Sequence, residues 1–259
     1  MKYKTKLLVD RFASIISKWP QVECISINEA ALPDTLDPYF AVILDVFYKD
    51  QIPGPEDRQK LYGNDLGAFE SSGGGAKDRF LVGDIPIRLE YKSIAMVEEL
   101  VSIADTKLYS LWLIKDSGTY GFYRLSQGEI IYSQSDWIKG IRGRLKNLGE
   151  EFWFNMRNAT ESKMEHFLSD LGAAFMQEDQ FFYLTSAAGF IKSACLTLFC
   201  INKHFEPSHR AYYSQVLALK SLPNAFPASL ETFLSSDPEM TMERKFHLAQ
   251  LIAKGIVAL

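Results

Sequence analysis

Cysteine is scarce in this chain of 259 residues, with three, and histidine nearly so, with four. The cysteines, Cys24, Cys195 and Cys200, are odd in number and lack zinc-ligand or Cys-x-x-Cys spacing. That excludes a disulfide framework and a structural zinc site, and the expectation is reduced, buried thiols in a cytoplasmic protein. His166, His204, His209 and His247 are scattered, with no ligand pattern. A basic excess is missing too. Lys and Arg number 28 against 32 Asp and Glu, a net charge of −4 with a pI near 5.7, which argues against a dedicated nucleic-acid binder while leaving room for a local basic pocket. No apolar run reaches the roughly 18 residues of a bilayer span. The most apolar stretch, 187–201, is interrupted by Lys192, so no membrane partner is expected. The first residues, MKYKTKLLVDRFASIISKW, alternate charge and apolar groups at helical spacing and lack a signal-peptide core. Gly75-Ala76-Lys77-Asp78 does not complete a Walker phosphate loop, and no internal repeat is visible.

What is present is a normal globular composition, 47% hydrophobic and 23% charged, in a chain long enough for one large domain or two ordinary ones. Its most informative stretch is 39–48, YFAVILDVFY, read as a central strand buried on both faces. One carboxylate, Asp45, lies within it. Taking an ionised Asp out of water costs several kcal/mol, about 3–5, unless a metal, a cation or backbone donors replace the hydration. A second acid, Glu90, stands in IPIRLEY (85–91). If the two strands are neighbours in register, Asp45 and Glu90 form the start of a divalent-metal site for phosphate chemistry, with Arg88 and Lys92 on the same face for a phosphate. The plainer alternative is a structural ion pair between Asp45 and Arg88.

The pattern along the chain predicts an α+β protein. A mixed sheet with flanking helices occupies 1–134 and a helical bundle 135–259. Expected in the first part are a helix at 5–18, strands at 22–27 and 39–48, a mobile glycine-rich segment at 64–77 and a hairpin about Gly83-Asp84. A helix follows from Ser93 to about 104, then short strands or an irregular bridge at 111–114 and 129–132. The second part should hold helices at 136–147, 150–157, 161–176, 180–204, 208–220, 227–235 and 240–257, with prolines between the later ones as breakers. The segment around Phe190 and Leu198 is apolar nearly all round, the mark of a bundle core.

This layout resembles the nucleotidyltransferase superfamily of the DNA polymerase β type, in particular its two-domain members related to aminoglycoside nucleotidyltransferases. The likeness rests on the acid-bearing strand followed by GDIPIRLEYK, on the bridge YGFYRLSQGEIIYSQSDWIKGIRGRL and on LTLFCINKHFEPSHRAYYSQVLALKSLP. It implies a nucleotidyltransferase-like domain, then a substrate- or partner-binding bundle. Asp45 and Glu90 would be the catalytic and metal-binding acids, Mg²⁺ the ion and an NTP the donor. Ser26, Asn28, Arg88 and Lys92 would hold the nucleotide. Tyr183 and Lys192 would contact a small-molecule or protein acceptor. Two of the family's motifs differ here. Ser26-Ile27-Asn28-Glu29 stands where a Gly-Ser pair is usual, and Asp45 has no second acid two residues away, Asp37 being an offset substitute at best. The functional expectations are therefore a divergent metal-dependent nucleotidyltransferase, a catalytically inactive nucleotide- or small-molecule-binding pseudoenzyme, or a helical interaction module, with homodimerisation open.

Overall fold

The computed structural model describes residues 3–28, 42–237 and 239–259. Residues 39–41 of the expected central strand, and Asp37, lie outside them. The elements run α1 (Tyr3–Ile16), β1 (Val22–Ile27), β2 (Val42–Tyr48), α2 (Pro55–Tyr62), β3 (Leu66–Ser71), β4 (Lys77–Val82), β5 (Ile85–Ser93) and α3 (Ile94–Asp105). There follow α4 (Trp112–Ser117), α5 (Tyr120–Gln127), β6 (Glu129–Ser133), α6 (Trp137–Lys146), α7 (Glu150–Met176), α8 (Gln180–Ile201), α9 (Tyr212–Leu217), α10 (Phe226–Leu234) and α11 (Met242–Val257). Two compact units result. One comprises Met1–Leu111 with Gly121–Asn147, the other Trp112–Tyr120 with Leu148–Leu259. The division thus falls after Asn147 rather than at 134/135, because α6 packs on α3 of the first unit.

The first unit is built on a six-stranded sheet of order β3-β4-β5-β2-β1-β6. Only β2 and β5 pair in parallel; the other neighbours are antiparallel. Period-two alternation sends Val42, Leu44 and Val46 of β2 and Ile87, Leu89 and Tyr91 of β5 to one face. There they pack with Val9, Phe12 and Ile16 of α1 and with Trp19 and Tyr62 in a single apolar core. Each fully buried Val, Leu, Ile or Phe contributes about 1.5–3 kcal/mol, so this face fixes the register of both strands. A slip by one residue would turn every one of these side chains to the wrong side. Asp45, Glu90, Arg88 and Lys92 occupy the opposite face as a consequence.

The segment 64–77 is ordered, contrary to the mobile loop expected from its glycines. Leu66–Ser71 pairs with β4, and Ser72–Ala76 is the hairpin turn. Gly74 and Gly75 take φ of +80° and +70° there, which suits glycine. The turn is tied down by Arg58 of α2, which donates from Nη2 to the Gly75 carbonyl at 2.9 Å and from Nη1 to the Pro53 carbonyl at 2.8 Å. Arg58 also forks onto Asp78 with two bonds of 2.8 Å, and its guanidinium stacks 4.4 Å over the Tyr91 ring. Asp78 is fully buried and accepts further bonds from Tyr91 and Tyr62. A network with this many partners satisfies the buried charge.

The second unit is helical among its described residues. Residues 150–176 form one helix where two were expected, because Asn158-Ala159-Thr160 does not break it. The Thr160 hydroxyl bonds back to the Met156 and Arg157 carbonyls and turns toward Thr197. Met164 and Leu171 of α7, Phe190 and Leu198 of α8, Leu230 of α10 and Ile252 and Ile256 of α11 share the core. By length and apolarity alone α8 would suffice to cross a bilayer, yet half of that window is buried in this bundle. Residues 208–220 contribute only the short α9, and of 111–114, expected as a short strand or an irregular bridge, residues 112–114 open α4.

Candidate functional site

Parallel pairing of β2 with β5 places Asp45 directly beside Glu90. The two acids share a face and are 1% and 5% exposed. The ligand they meet is a side chain. Arg124 of α5, itself 7% exposed, donates from Nε to Asp45 Oδ2 at 2.9 Å and from Nη2 to Asp45 Oδ1, while its Nη1 reaches Glu90 Oε2 at 2.7 Å. One planar guanidinium therefore bridges both carboxylates, which is the geometry its fork of donors favours. Lys92 Nζ adds contacts of 2.9 Å to Asp45 Oδ1 and 3.7 Å to Glu90 Oε2. Arg88 closes the set on Glu90 Oε1. The expected alternative, Asp45 paired with Arg88, has the right chemistry and the wrong arginine.

The sequence folds this way locally for readable reasons. Phe122 and Leu125 flank Arg124 on the buried side of α5. The end of α5 is then held by Arg142 of α6, which donates to the Leu125 carbonyl at 2.9 Å and to the Gly128 carbonyl. Gly128 allows the close approach: a Cβ there would lie 2.8 Å from the Arg124 carbonyl oxygen and 3.2 Å from both the Ile27 carbonyl and Ser26 Oγ. The turn out of α5 is thus pressed onto the end of β1, and Arg124 is set over the acids.

Electrostatics follow from this packing. Burial pushes the Glu90 carboxyl up, but Arg124, then Lys92, Arg88 and Lys77, outweigh it and hold the group below the ordinary carboxylate range. Burial lowers Arg142, the group that holds the end of α5. At this site three cationic side chains, Arg124, Lys92 and Arg88, face the two carboxylates. Its partly open side carries Lys92 and Arg88, whose side chains are 26% and 21% exposed.

A divalent ion does not fit this donor set. It needs carboxylate oxygens turned to a shared point with no competing cation, and both oxygens of each acid here already face Arg124, Lys92 or Arg88. Among the described residues no group of three His, Cys, Asp or Glu side chains could hold a metal.

Ser26 stands opposite Asp45 in the β1–β2 pair, and Asn28 follows at the end of β1, its N–H donating to the Ile43 carbonyl at 3.3 Å. Both are buried. Ser26, Asp45, Glu90, Arg88 and Lys92 are thus brought together on neighbouring strands. Tyr183 and Lys192 belong to α8 in the second unit, nine residues apart and so on opposite sides of the helix. Tyr183 is buried and donates to the Met242 carbonyl at 3.1 Å, and Lys192 is exposed. Sequence reasoning missed Arg124. The signal available was helical spacing of Phe122 and Leu125 about it, hidden by Gly118, Gly121 and Gly128, which made the segment read as a bridge.

The structure is similar along 98% of its length to the crystal structure of a nucleotidyltransferase-like protein from Exiguobacterium sibiricum 255-15. The match covers 74% of that chain, with a TM-score of 0.51 and 14% sequence identity. The fold is nucleotidyltransferase-like. No protein-family model matches the sequence, and no curated protein does. In this fold the acids of β2 and β5 stand side by side, and Arg124 lies between them.

Proposed function

We propose that this chain is a catalytically inactive nucleotidyltransferase-like protein that binds an NTP or another phosphorylated small molecule by charge, without a divalent ion. The observation behind this reading is the Arg124 guanidinium lying between Asp45 and Glu90. A side-chain cation there engages both acids, but offers no open coordination position to a phosphate or a hydroxyl. Lys92 and Arg88, whose side chains are 26% and 21% exposed, present donors of a kind that suits phosphate oxygens instead.

One observation favours a second reading, nucleotidyl transfer from an NTP to a hydroxyl of a small-molecule or protein acceptor. Asp45 and Glu90 remain side by side, as two-carboxylate metal chemistry requires. That reading needs Arg124 to leave the acids before a metal can enter. Thermal-shift titration with ATP and GTP, in EDTA and in Mg²⁺ or Mn²⁺, separates the two. A nucleotide-dependent rise in melting temperature that is equal in EDTA and in Mg²⁺ is expected. A rise seen only with the divalent ion, together with pyrophosphate release, would establish the enzyme and overturn the inactive reading. No rise under any condition would remove nucleotide binding altogether.

A further inference from the structure

The outer face of the first half of α8 is apolar where the outer face of its neighbour is polar. The middle of α7 turns Lys163, Glu165 and His166 outward, whereas α8 presents Phe181, Leu184 and Ala188, with Phe181 79% and Leu184 68% exposed. These residues recur at i, i+3 and i+7, a single stripe along the helix. Exposed charges flank it: Glu178 and Asp179 just before α8, the latter accepting from the Phe182 N–H as its cap, and Lys192, one turn beyond Ala188. Among the described residues neither Glu178 nor Lys192 makes an ion pair.

We propose that this stripe is the contact between two copies of the chain, packed as antiparallel α8 helices about a two-fold axis near Thr185. The spacing is self-complementary. Residues equidistant from Thr185 meet across such an axis, so Lys192 of one copy lies opposite Glu178 of the other, seven residues from the centre on each side. Phe181 of one copy falls beside Ala188 of the other, where the small side chain leaves room for a ring. A patch of one Phe, one Leu and the intervening small residues removes only about 1,000 Å² in total from water when doubled, the low end for a specific interface. The dimer is accordingly weak, with a dissociation constant on the order of micromolar. A membrane fits less well, because the stripe carries an acid at one end and lacks the basic rim that draws a helix to anionic lipid.

Sedimentation equilibrium of the full chain between about 1 and 200 µM tests this. The average mass should rise toward twice that of the monomer as concentration increases. Phe181→Glu should raise the dissociation constant at least tenfold while leaving the circular dichroism unchanged, since the side chain is exposed. Lys192→Glu and Glu178→Lys should each weaken the dimer, and the double exchange should restore it. A monomer at every concentration would overturn the proposal, as would a dimer indifferent to Phe181→Glu. A double exchange no tighter than the single variants would overturn the antiparallel register. Flotation of a monomeric chain with phosphatidylserine vesicles would reassign the stripe to a lipid surface.

Discussion

Replacing Arg124 by alanine removes the guanidinium that bridges Asp45 and Glu90, and its consequences follow from the site's geometry. Asp45 would keep Lys92, and Glu90 would keep Arg88 and Lys92. Breaking a buried ion pair by deleting one partner costs about 3–5 kcal/mol. The surviving cations place the loss at the lower end, about 3 kcal/mol, or a fall in melting temperature of roughly 6–12 °C for a unit of this size. The pH dependence should also weaken. In the native protein Glu90 titrates below its ordinary value of 4.5, so its contribution to stability is complete above that value and is lost as pH falls through the lower folded one. Without Arg124 the largest influence that lowers the Glu90 carboxyl is gone, and its folded value moves up from the native one while Lys92, Arg88 and Lys77 still act on it. Less stability is then lost on acidification. Hydrogen exchange of β2 and β5 peptides at pH 5 and 3 reads this locally, whichever unit unfolds first. The native protein should lose protection between the two values, and the variant should lose less. A variant that loses less than about 1 kcal/mol, or whose protection falls as steeply with acid as that of the native protein, would refute the argument that Arg124 holds the two acids.

Arg58→Met strands the fully buried Asp78 and frees the glycine-rich turn. A loss of about 3–5 kcal/mol is expected, with new proteolytic cleavage at Ser72–Gly75; unchanged resistance would show that the turn holds itself. Gly128→Ala puts a methyl group 2.8 Å from the Arg124 carbonyl oxygen, and the displaced end of α5 should cost about 1–3 kcal/mol by denaturant unfolding. Its effect should shrink in an Arg124→Ala background if the two act through the same contact. Burial pushes the thiols of Cys24, Cys195 and Cys200 up to about 12, so a thiol reagent at pH 8 should label the folded chain on the order of 10³ times more slowly than the unfolded one. Rapid labelling of one thiol would mean that its surroundings open readily.

Asp45 could be found in the sequence because an acid inside a β-branched run breaks the pattern around it, and Glu90 because its strand alternates cleanly. Their adjacency depended on parallel pairing of β2 with β5, which the spacing of two strands does not determine. The cation between them was hidden for a different reason. Arg124 comes from a segment 79 residues after Asp45, and three glycines there mask a two-turn helix. The bundle was legible from its apolar periodicity, but its breaks were placed by propensity. Thr160 shows how a poor helix former persists when its hydroxyl finds the carbonyls of its own preceding turn. The hairpin of β3 and β4 escaped notice because glycine-rich composition suggested disorder, whereas the tether that orders the turn, Arg58, belongs to another element.

A cation borne on the chain has no dissociation constant. A site that borrows Mg²⁺ is empty or full according to the medium, and a chelator can switch it off. The Arg124 guanidinium is present at fixed stoichiometry from the moment the sheet and α5 close together, so the charge balance at Asp45 and Glu90 is insensitive to metal supply. The same permanence removes the means by which metal sites are usually controlled. What remains able to unsettle this one is protonation of Glu90 or displacement of α5 itself.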